Sequence, residues 1–267
     1  MTVAVPAEVL ARGSVRVDGM DHLPGRVISV ILDRPEARNA QTPATWAALE
    51  AIGGALDTAD ATMAVIRGEG SAFSAGLDRR MFTPDGIPGE TSLAAMAAMS
   101  DEQMAAQIEE YQRAFTWQRR VPALTVAAVH GPAIGAGFQL ALACDVILAS
   151  PSASFAMRET SWGLVPDLGG TGPLVRAVGY SRAVDICATG RMISADEGFA
   201  LGFVTRVVPD LDECIADMAM SIASAPPGAV RDLMPLLALG EINDRQEQLS
   251  AERRTQVARL RDLLGGN

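Results

Sequence analysis

The chain is poor in the residues that most often announce a function. Its 267 residues include two histidines, His22 and His130, and three cysteines, Cys144, Cys187 and Cys214. No CxxC pair is present, so neither a zinc site nor a disulfide framework is expected, and idle thiols in a reducing compartment are. Aromatic residues make up 4% of the chain, so small residues and methionine must fill much of the interior. There is no basic excess: 22 Lys and Arg face 32 Asp and Glu, a net charge of −10, which disfavours nucleic acid and anionic lipid as partners. No apolar run reaches transmembrane length and no charged-then-apolar leader opens the sequence, so a soluble cytoplasmic protein without a membrane partner is expected.

Several catalytic signatures are also missing. The sequence contains no GxxxxGK[ST], GxSxG or HExxH, and His130 has no plausible partners for a hydrolytic triad. Gly135-Ala-Gly137 fails as a dinucleotide fingerprint because Leu140 stands where a third glycine is needed. No zinc site and no dinucleotide cofactor are expected from these residues.

What the chain does have is 49% hydrophobic residues and 25 glycines, enough for one large core with many tight turns. Strands at 15–17, 27–32, 63–66, 124–129, 145–149, 153–157 and 205–208 alternate with helical patterns, as in an α/β fold with crossover connections. Thr42 and Pro43 open a helix with an apolar stripe at Trp46, Leu49, Ile52 and Leu56. Ser92–Met99 and Asp101–Arg119 read as helices, the second with a capping box at Ser100 and Gln103. Ser194 and Glu197 match another. Beyond Thr171 the pattern is mostly helical, closing with helices at about 211–224, 228–239 and 246–264.

Two small-residue turns, Phe73-Ser-Ala-Gly-Leu-Asp78 and Gly131-Pro-Ala-Ile-Gly-Ala-Gly-Phe-Gln-Leu140, each follow a strand. Side by side, they could aim two backbone N–H groups at one oxygen and stabilise negative charge on it. Ala136 would open a helix, where its N–H is free and the dipole favours an anion. Gln139 lies three residues on, along the same face. Glu159 and Asp167, eight residues apart across a Gly–Pro turn, could converge on a cavity where burial and repulsion separate their pKa values. Each feature alone also fits a structural role: a tight helix start, a surface glutamate, a capping aspartate. Arg38, Arg79 and Arg80 are candidate phosphate contacts. Met81, Phe82, Met96, Met99 and Met104 could line a pocket for a flexible chain.

Taken together, Asp33–Ala40, Phe73–Asp78, His130–Leu140, Cys144-Asp145, Gly163–Pro166, Ala200–Val204 and Val207–Pro209 resemble the enoyl-CoA hydratase/isomerase (crotonase) superfamily over most of the chain. The resemblance implies a crotonase-like spiral of ββα units over residues 1–200 and a helical oligomerisation region over 201–267. It implies an acyl-CoA thioester substrate, no cofactor beyond the coenzyme A of that substrate, and a homotrimer or dimer of trimers. The backbone amides of Ala75 and Ala136 would form the oxyanion hole, Glu159 and Asp167 would transfer protons, and Arg38, Leu77, Gly135 and Gln139 would contact substrate. Hydratases of the family usually carry two glutamates, and the first falls on Gln139. Glutamine cannot exchange a proton at neutral pH, whereas addition of water needs two proton-handling groups. The dienoyl-CoA isomerase branch carries an aspartate at the Asp167 position. The expected activity is therefore double-bond isomerisation, with 2-enoyl-CoA hydration or acyl-CoA binding without turnover as alternatives.

Overall fold

The computed structural model describes residues 4–58, 60–226 and 228–265. A first helix, α1 (Ala7–Gly13), leads into the antiparallel pair β1 (Val15–Gly19) and β2 (Val27–Leu32). β2 is buried at every position. It pairs in parallel with β3 (Met63–Gly68), which pairs with β4 (Leu124–Val129), then β6 (Val146–Ala149) and β9 (Arg206–Val207). Strands covered on both faces read as continuous apolar runs, which is why these segments lack alternation.

A second sheet runs beside the first. It joins β5 (Pro132–Ile134), β7 (Ser154–Ala156) and β8 (Ile193–Ser194), and single parallel bridges Ser74–Ala133 and Gln41–Leu77 extend the same line. Successive turns of the chain thus touch both sheets before entering a helix, which is the crotonase-like spiral. The helices are α2 (Pro43–Thr58), α3 (Leu93–Ala97) with α4 (Asp101–Gln112), α5 (Ala136–Ala143), and α6 (Thr171–Val178) with α7 (Tyr180–Thr189). α8 (Ala195–Leu201) precedes β9, and α9 (Leu211–Ser224), α10 (Ala229–Leu239) and α11 (Arg245–Gly265) close the chain.

Local signals behave as their chemistry requires. The Thr42 hydroxyl accepts from the Thr45 amide at 3.3 Å, and both halves of the Ser100–Gln103 box form. Ser194 caps α8, but the carboxylate of Glu197 pairs with Arg191 at 2.7 Å instead of completing a box. The expected helix over 101–119 is shorter. α4 stops at Gln112, a 3-10 turn follows at Arg113–Phe115, and Phe115 and Trp117 turn inward to pack on α2. Few as they are, the aromatics are concentrated. Phe138, Phe155 and Phe203 form one cluster with centroids 5.1–5.3 Å apart, and Trp46 contacts Tyr111 and Phe115. Such pairs add roughly 0.5–1.5 kcal/mol beyond the area they bury.

At the chain's end, α9 buries Cys214, Ile215 and Ala219 against the main sheet. α10 and α11 bury almost nothing: Leu233, Leu237, Val257, Leu260 and Leu264 are all exposed, as is Ile242 in the turn between them. No described helix is long and apolar enough to cross a membrane.

Candidate active site

The two small-residue turns lie side by side because the second sheet stitches them together. The Ser74 amide donates to the Pro132 carbonyl at 3.0 Å, and the Ile134 amide donates back to the Ser74 carbonyl at 2.9 Å. The approach is tight enough to require glycine. A Cβ on Gly76, whose φ is +85°, would sit 2.5 Å from the Ile134 carbonyl oxygen, and one on Gly137 would sit 2.6 Å from that of Ser74. Gly76 also lies against the Ala136 amide, 3.5 Å from where its Cβ would be.

Which amides are free differs in one respect from the expectation. The Ala75 N–H is occupied, donating to the Arg38 carbonyl at 2.8 Å, so Ala75 cannot be an oxyanion donor. Two residues on, the chain bridges to Gln41: the Gln41 amide donates to the Gly76 carbonyl and the Asp78 amide to the Gln41 carbonyl. That bridge uses the atoms on either side of Leu77 and leaves its N–H without an acceptor among the described residues. The Ala136 N–H, at the first position of α5, is likewise free. The two amides left without an acceptor among the described residues at this corner are therefore those of Leu77 and Ala136. The sequence resemblance implies only a substrate contact for Leu77. The alternation that turns its amide, rather than that of Ala75, towards the cavity is set by the bridge to Gln41.

Asp78 holds this turn. Its carboxylate accepts from the Arg80 amide at 2.9 Å and pairs with the guanidinium groups of Arg34 and Arg80. Burial alone would raise its pKa, but hydrogen bonds and charge from the two arginines outweigh that and hold it well below the usual carboxylate range. Arg80 is thereby drawn into this cluster and does not line the cavity, contrary to the phosphate role expected of it.

The two turns open onto a cavity of about 910 Å³. Arg38, Ala75, Leu77, Gly135, Ala136, Gln139, Glu159 and Asp167 all line it, as do Met81, Phe82, Met96 and Met104; Met99 does not. Among the described residues, Glu159 and Asp167 are its only carboxylates. The chain contains no lysine, so every cation at the rim is a guanidinium: Arg38, Arg79 and Arg158. Arg79 lies 5.4 Å above the ring of Trp162, which packs on Phe82. Planar guanidinium groups suit phosphate recognition.

Gln139 is fully buried, and both ends of its amide are used. Its Oε1 accepts from the Leu168 amide at 3.0 Å and the Gly170 amide at 3.2 Å. That fixes the orientation, so Nε2 faces Glu159 and donates to its Oε1 at 2.7 Å. The second carboxylate oxygen of Glu159, Oε2, is buried with no partner among the described residues. Burial pushes the Glu159 carboxyl up, hydrogen bonds from its own amide and from Gln139 oppose this, and the negative charge of Asp167 adds to the rise. Asp167 keeps a large accessible surface, but that surface faces the cavity, and desolvation raises its pKa too. A Cβ on Gly135 would lie 3.3 Å from Glu159 Oε1, which places the glutamate beside the oxyanion amides. Among the described residues, no group of three or more His, Cys, Asp or Glu could hold a metal ion.

Two free amides and two carboxyls lining one cavity, on a two-sheet spiral, are the groups that acid–base chemistry with oxyanion stabilisation requires. The family profile for "Enoyl-CoA hydratase/isomerase" matches residues 23–261, and the chain belongs to that family. It is 32% identical to the mitochondrial Delta(3,5)-Delta(2,4)-dienoyl-CoA isomerase of Rattus norvegicus, over 77% of this chain and 63% of that protein. It is 33% identical to the 2,3-dehydroadipyl-CoA hydratase of Escherichia coli K12, over 74% of this chain and 71% of that protein. Among solved structures, a candidate enoyl-CoA hydratase from Thermobifida fusca YX in complex with CoA superposes with a TM-score of 0.88 at 39% identity, covering 97% of this chain and 98% of that one.

Proposed function

We propose that the protein isomerises the double bond of an enoyl-CoA thioester, with Glu159 and Asp167 as the proton-transfer pair. The thioester oxygen accepts from the Leu77 and Ala136 amides. Glu159 Oε2 removes a proton from the carbon next to the thioester, and the electron pair moves into an enolate held by the two amides. Asp167, its protonated form favoured by desolvation, gives a proton to the far carbon of the conjugated system. On a 3-enoyl substrate, proton loss at the α-carbon and gain at the γ-carbon yield the 2-enoyl product. The carboxyls then exchange protons with solvent to reset.

One observation carries the preference over hydration. Gln139 spends both ends of its amide on the Leu168 and Gly170 amides and on Glu159, so the cavity has one carboxyl at this corner, and the other is Asp167 across the space. The decisive experiment offers 2-enoyl-, 3-enoyl- and 3,5-dienoyl-CoA thioesters in turn. Isomerisation that is lost in Asp167→Asn supports the reading. Rapid hydration of the 2-enoyl compound, unaffected by Asp167→Asn, refutes it.

The exposed apolar faces of α10 and α11 support a homotrimer or a dimer of trimers built through the 201–267 region. Sedimentation equilibrium tests this, and a monomer at micromolar concentration would rule it out.

A further inference from the structure

The acyl cavity does not end in open space. A second cavity of about 320 Å³ lies behind it, and Pro43, Trp46 and Tyr111 face both. The two aromatic rings stand 4.7 Å apart, centroid to centroid, and both are more than nine-tenths buried. On the near side the lining is apolar and pliable, with Met81, Met96 and Met104 among it. On the far side it is polar and acidic: Arg12, Glu50, Glu90, Thr91, Gln107 and Glu110.

The wall is also anchored. Trp46 Nε1 donates to Gln41 Oε1 at 2.8 Å, Gln41 Nε2 donates to Ser74 Oγ at 3.0 Å, and Ser74 Oγ donates to the Asn39 carbonyl at 2.8 Å. The ring at the end of the cavity is thus tied to the turn that carries the Leu77 amide. The methionines can rearrange around a chain, whereas this ring cannot retreat without breaking that relay.

We infer that Trp46 and Tyr111 form a fixed end wall that sets the longest acyl group the enzyme accepts, and that restricts the substrates to unsubstituted apolar chains. This rests on the acyl-CoA reading above. A chain that fits gains about fourfold in affinity for each methylene it buries. A chain one carbon too long must either bend back or displace an anchored ring. A carboxylate at the chain's end would be buried against indole, phenol and thioether, since the arginines that line this cavity sit at its exposed rim and Arg12, behind the wall, is drawn to the Gly89 carbonyl and Glu90.

The test uses saturated acyl-CoAs of increasing length, which bind without turnover, with free CoA as a control for folding. In the unaltered protein affinity rises about fourfold per carbon and then breaks sharply. An ω-carboxylated acyl-CoA of matching length binds at least tenfold more weakly. Tyr111→Ala opens the second cavity and moves the break to longer chains, while Tyr111→Phe leaves it in place. Adding Ala47→Phe to Tyr111→Ala fills the second cavity from its outer side and moves the break back. Should Tyr111→Ala fail to bind free CoA, Tyr111→Leu makes the same test with a smaller opening. An unchanged break in the variant that still binds CoA, or equal affinity for the ω-carboxylated ligand, overturns the wall. Failure of every acyl-CoA to bind the unaltered protein overturns instead the ligand reading beneath it.

Discussion

Replacing Gln139 by glutamate probes the site most sharply, because one atom changes and its neighbours are known. The new carboxylate keeps the two amides of Leu168 and Gly170 as donors to one oxygen. Its other oxygen replaces Nε2, which now donates to Glu159 Oε1 at 2.7 Å. A hydrogen bond thus becomes a contact between two acceptors. Two unit charges about 4 Å apart in a medium of effective dielectric constant about 20 repel by about 4 kcal/mol, or roughly three pK units. The pair must therefore hold one proton between them near neutral pH, and it titrates as a unit. If Glu159 is the base for isomerisation, the acid limb of kcat/KM for a 3-enoyl-CoA moves up by about one to three pH units, and activity lost on its acid side returns as the pH is raised. The same variant now has two proton-handling groups beside the oxyanion amides, so hydration of a 2-enoyl-CoA should rise from its starting level. Rate profiles from pH 5 to 10 with both substrates measure both effects. A profile that coincides with that of the unaltered protein would show that Gln139 and Glu159 are not coupled in the working enzyme, and the assignment of the base would fail.

Other outcomes follow from the same geometry. Ala136→Pro should lower kcat/KM by about 10²–10³ with little change in melting temperature, since Pro deletes one donor and suits the first position of a helix. Leu77→Pro should do the same, whereas Ala75→Pro removes a bond to Arg38 and should show its main effect on stability; the reverse ranking in paired kinetic and thermal assays would restore Ala75 as donor. Glu159→Gln should cost about 10²–10⁴ in rate yet stabilise the fold at pH 7. Burial raises this carboxyl, so the folded state binds the proton more tightly than the unfolded chain, and stability is lost as pH rises from about 4.3 through the higher folded value. Denaturant titration at pH 5 and pH 8 should find the gain larger at pH 8. Asp78 has the opposite sign. Its lowered pKa contributes stability that is fully present above the unfolded value near 3.9 and is lost as pH falls below it, so Asp78→Asn should flatten the acid-unfolding curve in that range.

Much of the architecture follows from patterns within a few residues of one another. The runs at 27–32, 63–68 and 124–129 are apolar at nearly every position and have no alternative to a doubly covered sheet. Ser100 and Thr42 mark helix starts because a short oxygen-bearing side chain there satisfies an amide that nothing else can reach. Glu159, Asp167 and Gln139 were visible as an unusual set by identity and spacing alone. Their physical relation was not, because Gln139 meets Glu159 and Leu168 only after the chain has crossed from α5 to the turn beyond β7. The end wall shows the same limit: Trp46 reads as one more stripe residue of α2 until α4 brings Tyr111 against it.

The amino-acid sequence by itself determined the α/β class, the family, the two glycine turns and the residue types able to move protons, since each rests on composition, identity or short-range spacing. The tertiary structure alone decided which amides are free. Every residue in the 73–78 turn carries the same N–H, and only pairing with Arg38, Gln41 and the strand at 132–134 consumes those of Ser74, Ala75 and Asp78 and spares that of Leu77. Hydrogen-bond donors are identical along a backbone, so what makes one of them functional is the partner that the fold does not give it.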